Sequence, residues 1–535
     1  MTTKTMDSRE ELRQSEQIRL DLLKDAKARN RWGQFATPAS LAVDIARYAT
    51  ALAGARKHHL TFLDPAIGTG SFYSALRTVS NGTPIERATG VELDPIFSEA
   101  ANSIWKETGL SVIAGDFTRQ PPPSQDERFN LILTNPPYVR HHHIGAENKI
   151  QLREAVRRRL GTEISGLAGL YCYFLLLAHD WLEPDGFAAW LIPSEFMDVN
   201  YGAAVREYLT TKVRLLHVHR FDPEDVQFAD ALVTSVIVVF AKNSPSASDT
   251  VRFSVGGSLL APTREHAITI DQLRASERWT SAAGREPGAA SKTAGTLTFA
   301  DLFAIKRGIA TGSNDYFIMP LDEAKQRGIP EKALRPVLPS PRYLDTTVVE
   351  AAANGYPVLG RPLALIDTRM SEAEIQAQHP RFWEYILEGK NKGIHESYLT
   401  SRRSPWYSQE QRPAPPFLCT YMGRSRGKGK PFRFIWNRSL ATAANVYLLL
   451  YPRDLLKTVL ERDPSLYSRV FELLNDISSS DFLQESRVYG GGLHKLEPRE
   501  LGRLPAEPFL KAIPGIRPHR QMELGLPVHE QKNGR

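Results

Sequence analysis

The chain has 535 residues, 42% hydrophobic and 24% charged, with a formal net charge of +7. That length suits two or three soluble globular domains. Its two cysteines, Cys172 and Cys419, have no CxxC or Cys/His ligand spacing around them, which argues against a disulfide framework or a structural zinc.

In chain order, residues 8 to 30 predict a charged helix, too polar for an export signal, followed by the segment RWGQFATP and an amphipathic helix from Pro38 to about Ala53. Strand signals then recur at Leu60 to Leu63, Ala88 to Val91, Ser111 to Ala114, Leu131 to Thr134 and Phe187 to Ile192, with helical stretches between most of them. Such alternation predicts a parallel sheet. The last two candidates, Val213 to Phe221 and Thr234 to Phe240, lack a clear helix between them and predict an antiparallel hairpin. The most apolar stretch, Leu167 to Leu182, is short for a bilayer and carries His179 and Asp180, so a buried core helix and no membrane are expected, while the two distant cysteines point to a reducing, cytoplasmic location.

Beyond Lys242 the pattern weakens, and the Gly- and Pro-bearing stretch near Arg285 to Thr296 predicts a linker. The expected division is a first domain at 1–245, a connecting segment at 246–296 and a second domain at 297–535. The second domain is rich in aromatics and Pro-rich loops. Between Ser401 and Leu440 it carries nine cations against one acid, Glu410, a local basic patch suited to a polyanion.

Four strand ends carry chemistry. After the first, Asp64-Pro65-Ala66-Ile67-Gly68-Thr69-Gly70 forms a turn whose glycines let the backbone approach a ligand. GxGxxG is absent, and so is a phosphate loop. After the second, Glu92 of Gly90-Val91-Glu92-Leu93-Asp94 is placed to accept the hydroxyls of a ribose. After the third, Asp116 and Phe117 offer an acceptor and a ring to an adenine. After the fourth comes Asn135-Pro136-Pro137-Tyr138: two prolines hold the backbone extended, so the Asn135 amide oxygen and the Pro136 carbonyl make two acceptors for an amino group, and Tyr138 offers a ring for stacking. His141-His142-His143 after Arg140 has no partners at ligand spacing, so no metal is expected.

The order GQFATP, FxDPAxGTGxF, GVExD, GDF and NPPY resembles the gamma-class N6-adenine DNA methyltransferases of type II-like restriction-modification systems, from about Arg31 to Phe240. The resemblance implies an α/β fold, a Rossmann-like class I methyltransferase sheet with helices on both faces, plus a C-terminal mixed α+β target-recognition domain. It implies S-adenosyl-L-methionine as cofactor, held by Thr37, Asp64, Ala66, Gly68, Gly70, Glu92, Leu93, Asp116, Phe117 and Pro137. Catalysis falls to Asn135, Pro136 and Tyr138, with Phe228, or Phe221 in its place, packing on a flipped base. Segments around Lys306-Arg307-Gly308 and Tyr489-Gly490-Gly491-Gly492 resemble those of attached recognition domains. Arg140, Arg307, Thr311, Asn314, Arg424, Arg426, Lys428, Lys430, His494 and Lys495 are the expected contacts to double-stranded DNA. A monomer is expected, with any cognate restriction endonuclease a separate chain that forms no stable complex with it. Cytosine-N4, protein-glutamine and ribosomal RNA guanine methylation share the cradle and stand as alternatives, as does a non-catalytic DNA-binding protein.

Overall fold

The computed structural model describes residues 3–24, 29, 32–54, 59–80, 83–222, 234–276, 278–280, 297–424, 430–477, 482, 485–489, 493–514 and 516. They fall into two compact units, one of Met1–Ala289 with Tyr489–Gly492, the other of Ala290–Val488 with Leu493–Arg535.

In the first unit a nine-stranded sheet runs in the order β3-β2-β1-β4-β5-β7-β6-β8-β9. The strands are β1 (Leu60–Asp64), β2 (Ile85–Glu92), β3 (Leu110–Ala114), β4 (Phe129–Thr134), β5 (Leu182–Pro193), β6 (Arg214–Arg220), β7 (Ser235–Ala241), β8 (Thr250–Gly257) and β9 (Pro262–Thr269). Strands β1 to β5 pair in parallel, and β7 runs antiparallel to both β5 and β6. Both faces are buried: along β7, Val236, Val238 and Phe240 join one apolar cluster while Ile237, Val239 and Ala241 join the other. Successive side chains point to opposite faces, so a strand with no polar alternation must have packing on both sides. The helices Ala39–Gly54 and Ser71–Val79 supply one side, and Ala146–Leu160, Leu170–Leu177 and Ala203–Thr211 the other. The apolar stretch after Leu167 thus forms a short core helix whose residues from Tyr171 to Leu177 are all buried. Among the described residues no helix is long and apolar enough to cross a membrane.

The sheet does not stop near residue 245. Residues 250–257 and 262–269 add β8 and β9, and a helix follows at Ile270–Ala275, where a connecting segment is expected from sequence. The Gly- and Pro-bearing stretch expected as the linker lies outside the described residues.

The second unit is built around three smaller sheets, with orders β10-β19-β15-β17-β13, β11-β14-β12-β18 and β16-β21-β20. Here β10 is Phe303–Arg307, β11 Ile318–Pro320, β12 Leu334–Leu338, β13 Val348–Val349, β14 Leu363–Ile366, β15 Phe417–Thr420 and β16 Met422–Arg424. The remaining strands are β17 (Phe434–Asn437), β18 (Thr442–Ala443), β19 (Tyr447–Pro452), β20 (Arg487–Tyr489) and β21 (Leu493–Lys495). Helices at Pro380–Asn391, Asp454–Arg462 and Leu466–Asp476 pack among them, a mixed α+β arrangement.

Candidate functional site

In the first unit Asp64, Glu92, Asp116 and Asn135 all stand at or just past the carboxyl ends of parallel strands, and β1 and β4 flank the point where the strand order reverses. Open α/β sheets bind ligands in the crevice at that point. A cavity of about 50 Å³ lies there, lined by Thr37, Asp64, Ala66, Gly68 and Asn135 among the expected residues. Ligand pockets for molecules of nucleoside size or larger run to about 300 Å³ and more, so the segments covering this one must part to admit such a ligand.

The turn after β1 is shaped for contact. Gly68 has φ +55°, and a Cβ there would meet nothing within 4 Å, so its bare backbone borders open space. Gly70 differs: at φ +92° its missing Cβ leaves room for the Trp105 indole, whose nitrogen would lie 2.3 Å from it. Trp105 Nε1 donates to the Thr69 carbonyl at 2.8 Å. Gly70 is therefore required for packing and for entry into the helix Ser71–Val79. Asp64 is buried, accepts from the Ala66 N–H at 3.1 Å, and burial raises its carboxyl to about 7. Glu92 accepts from the N–H groups of Gly68 and Asp94, each at 2.9 Å, and burial raises its pKa as well. Next to it Leu93 is 56% exposed and Ile96 47%, an apolar pair on the surface beside an acid.

Asp116 accepts from the Thr118 N–H at 2.9 Å and hydroxyl at 2.7 Å, so one of its oxygens caps a short turn. Phe117 departs from expectation. Its ring lies in the core at 5.3 Å from Phe174 and 5.2 Å from Trp181, because the strand end it follows is already covered by the helix Leu170–Leu177.

Asn135 is the most telling residue. Its Nδ2 donates to the Phe35 carbonyl at 3.0 Å and the Thr37 hydroxyl at 3.2 Å, while its Oδ1 is buried with no hydrogen-bond partner. An unpaired buried carbonyl costs about 1–3 kcal/mol, and its orientation is fixed by the opposite end of the same amide. The segment 33–37 that fixes it is itself anchored: Tyr138 N–H donates to the Gly33 carbonyl at 3.1 Å, and Gln34 Nε2 donates to Asp94 at 3.2 Å. Pro136 is buried and Pro137 half-buried beside it. Tyr138 is buried too, with its hydroxyl donating to the Leu191 carbonyl at 3.1 Å and its ring 5.6 Å from that of Phe35. The expected stacking platform is covered in this conformation.

Phe228 lies outside the described residues. Its alternative, Phe221, is a core residue, 4% exposed and edge-on to His219 at 4.9 Å, and is corrected to a packing role.

Sequence reasoning missed the contribution of the N-terminal helix Thr3–Leu22. Gln17 lines the cavity and accepts from the Thr69 hydroxyl at 2.8 Å. Arg13, 2% exposed, donates to the hydroxyls of Thr69 at 3.1 Å and Ser71 at 2.9 Å and pairs with Glu10 at 2.7 Å. Phe35, Ser71 and Phe72 also line the cavity. A buried arginine on an otherwise charged helix has no sequence signature, since its neighbours in the chain are polar too.

Of the residues expected to face DNA, Arg140, Arg307, Asn314, Arg424 and Lys430 are exposed, and Lys495 is half-buried against Glu497 at 2.9 Å. Arg307 sits over the Tyr421 ring at 4.2 Å. Arg426 and Lys428 lie outside the described residues. Two expectations are corrected. Thr311 is buried, its hydroxyl donating to Asn314 Oδ1 at 2.7 Å and shaping the loop. His494 is buried and 3.1 Å from the Ser486 hydroxyl, where it holds β21 in place. Neither is presented to a polyanion.

Residues 41–227 match the family model of the Eco57I restriction-modification methylase, and residues 288–522 match that of the type II methyltransferase M.Eco57I, C-terminal domain. The type II methyltransferase M.AccI of Acinetobacter calcoaceticus is 27% identical over 491 residues, covering 89% of this chain and 85% of the relative. M.XamI of Xanthomonas campestris pv. amaranthicola, also a type II methyltransferase, is 28% identical over 449 residues, covering 83% and 79%. Among solved structures, the type IIL restriction-modification enzyme MmeI in complex with DNA gives a TM-score of 0.55 at 15% identity, over 90% of this chain and 68% of that one. That likeness is one of fold.

Proposed function

We propose, from the likeness of its two parts to the two methyltransferase family models, that the chain methylates the N6 amino group of a flipped adenine in double-stranded DNA, using S-adenosyl-L-methionine, and so protects host DNA. One observation carries this reading: a buried, unpartnered Asn135 Oδ1, held by its own amide nitrogen at the carboxyl end of β4 beside a cavity bordered by Asp64 and Gly68.

The residues present fit such a cofactor. Asp64 at the cavity wall would take a cationic amine, Glu92 ribose hydroxyls and the exposed Leu93 the face of a purine, while Gly68 leaves its backbone bare beside open space. The bound cofactor supplies an electrophilic sulfonium methyl. The protein's own part is to hold the accepting nitrogen. An adenine amine has two hydrogens; donating one to Asn135 Oδ1 and the other to the Pro136 carbonyl orients its lone pair away from the ring plane, toward attack. Flipping the base out costs a few kcal/mol, and stacking on an aromatic ring returns about 1–3 kcal/mol. Tyr138 serves that purpose once Phe35 moves from its ring. Burial of the site removes water that would otherwise compete for the amine. In this division of labour the first unit performs transfer and the second chooses the sequence.

The test is transfer of tritiated methyl to duplex DNA followed by digestion to nucleosides. Label in N6-methyladenosine's deoxy form supports the reading. Label in N4-methylcytosine reassigns the base, and no label in DNA overturns the function.

A further inference from the structure

A second cavity, of about 350 Å³, lies within the C-terminal unit, lined by Arg369, Arg402, Arg403, Ser408, Gln409 and Glu410 among others. Among the described residues none of the three arginines is paired with a carboxylate. Arg403 donates to the carbonyls of Ala310 at 2.6 Å and Thr311 at 2.7 Å and to Gln409 Oε1 at 3.1 Å, and Arg369 donates to the Gln409 carbonyl at 3.1 Å. Arg402 lies over the ring of Tyr398 at 3.6 Å, and that tyrosine is 72% exposed. The one acid in the lining, Glu410, is already matched to Arg412 at 2.8 Å. Burial lowers the pKa of Arg403, opposed in part by the carboxylates of Asp367 and Glu410 nearby.

A second observation is independent of charge. Gln409 is 2% exposed, its Oε1 is taken by Arg403, and its Nε2 is buried with no partner. An amide N–H2 left without an acceptor at the wall of a cavity needs an oxygen. Two exposed guanidinium groups without a carboxylate partner, a third held inward by protein oxygens, and one orphaned amide donor together describe a receptor for an oxyanion with several acceptor oxygens.

We propose that this cavity is a phosphate seat that takes a backbone phosphodiester of double-stranded DNA, its oxygens bound by Arg369, Arg402 and the Gln409 amide. Arg403 is the positioning residue. It ties the seat to the Ala310-Thr311 loop of the Lys306-to-Phe317 segment, so a phosphate gripped here sets the register of that loop on the duplex. The assignment of the phosphate to DNA rests on the proposed function, whereas the seat itself does not.

The test uses the full chain with Arg369 and Arg402, both exposed, replaced together by Ala, and a second variant replacing both by Lys. Inorganic phosphate titrated into wild type is expected to shift its melting temperature upward, an effect absent from the Ala variant. Duplex DNA binding followed by anisotropy across a salt series is expected to weaken about fivefold in the Ala variant, with the slope of log K against log salt falling by about 0.9 for the one phosphate lost. The Lys variant, which keeps the charges, is expected to regain the slope. Equal phosphate response in wild type and the Ala variant overturns the seat. Loss of phosphate binding with an unchanged salt slope overturns its assignment to DNA and makes free phosphate its ligand. These readouts involve no methyl transfer: a wild type that binds DNA through this seat yet methylates none refutes the proposed function and leaves the seat standing.

Discussion

Replacing Asn135 by Ala removes the Oδ1 acceptor together with the two bonds that aim it, to the Phe35 carbonyl and the Thr37 hydroxyl. The folding cost is small. Each lost bond is worth about 1 kcal/mol, offset in part because the variant no longer buries an unpaired oxygen. A net loss of about 1 kcal/mol lowers the melting temperature by about 2–4 °C in a unit of this size. The catalytic cost is larger, because a preorganised polar group acting on charge that develops in the transition state is worth about 3–4 kcal/mol, or a factor of about 10²–10³ in kcat. Tritiated-methyl transfer gives kcat, and calorimetric titration with S-adenosyl-L-methionine gives cofactor affinity, expected near the wild-type value. A variant whose kcat stays within about threefold of wild type, with DNA and cofactor saturating, refutes the cradle.

Asp64 gives a pH test. Its carboxyl is raised to about 7 by burial, so the free protein holds it protonated below that pH, while a cationic amine favours the ionised form. Cofactor affinity should rise about tenfold per pH unit below 7, with proton release on binding, and then level off; calorimetry in buffers of different ionisation enthalpy measures both, and Asp64→Asn should abolish the slope. The same shift makes this group's contribution to stability full below its ordinary value of 3.8 and lost as pH rises through about 7, so Asp64→Asn should gain stability relative to wild type at alkaline pH. Arg13→Ala unties the N-terminal helix from Thr69 and Ser71. It should raise KM for the cofactor about tenfold with a smaller change in kcat, the size of a lost charged hydrogen bond, and steady-state kinetics separates the two. Gly33→Ala places a Cβ 2.3 Å from the Tyr138 nitrogen at φ +64°. Strain and overlap should destabilise the protein by about 1–3 kcal/mol, read by denaturant unfolding, and loosen Asn135 through segment 33–37.

The strands and four strand-end motifs were legible because each couples an apolar run to residue types with one narrow use, such as paired prolines after Asn135. Sequence could not separate Gly68 from Gly70: both take positive φ, and only the tertiary position of Trp105 assigns one to packing and the other to open space. It also missed β8 and β9, and β9, at the edge of the sheet, is largely exposed and so carries no apolar alternation to read. Thr311 and His494 were misplaced for a related reason. A polar residue in a loop reads as surface, yet here the hydroxyl and the imidazole satisfy partners inside the fold. The arginine-lined cavity draws on Arg369 from the loop after β14 and on Arg402, Arg403 and Gln409 from a later segment, a convergence that spacing does not reveal.

The central claim is that an adenine amino group in duplex DNA is what Asn135 holds. Single-molecule sequencing of DNA from cells expressing the wild-type chain, beside cells expressing Asn135→Ala, tests it most directly. The account predicts N6-methyladenine at one recurrent sequence with the wild type and none with the variant. Methylation confined to cytosine, or N6-methyladenine persisting in the variant, contradicts it.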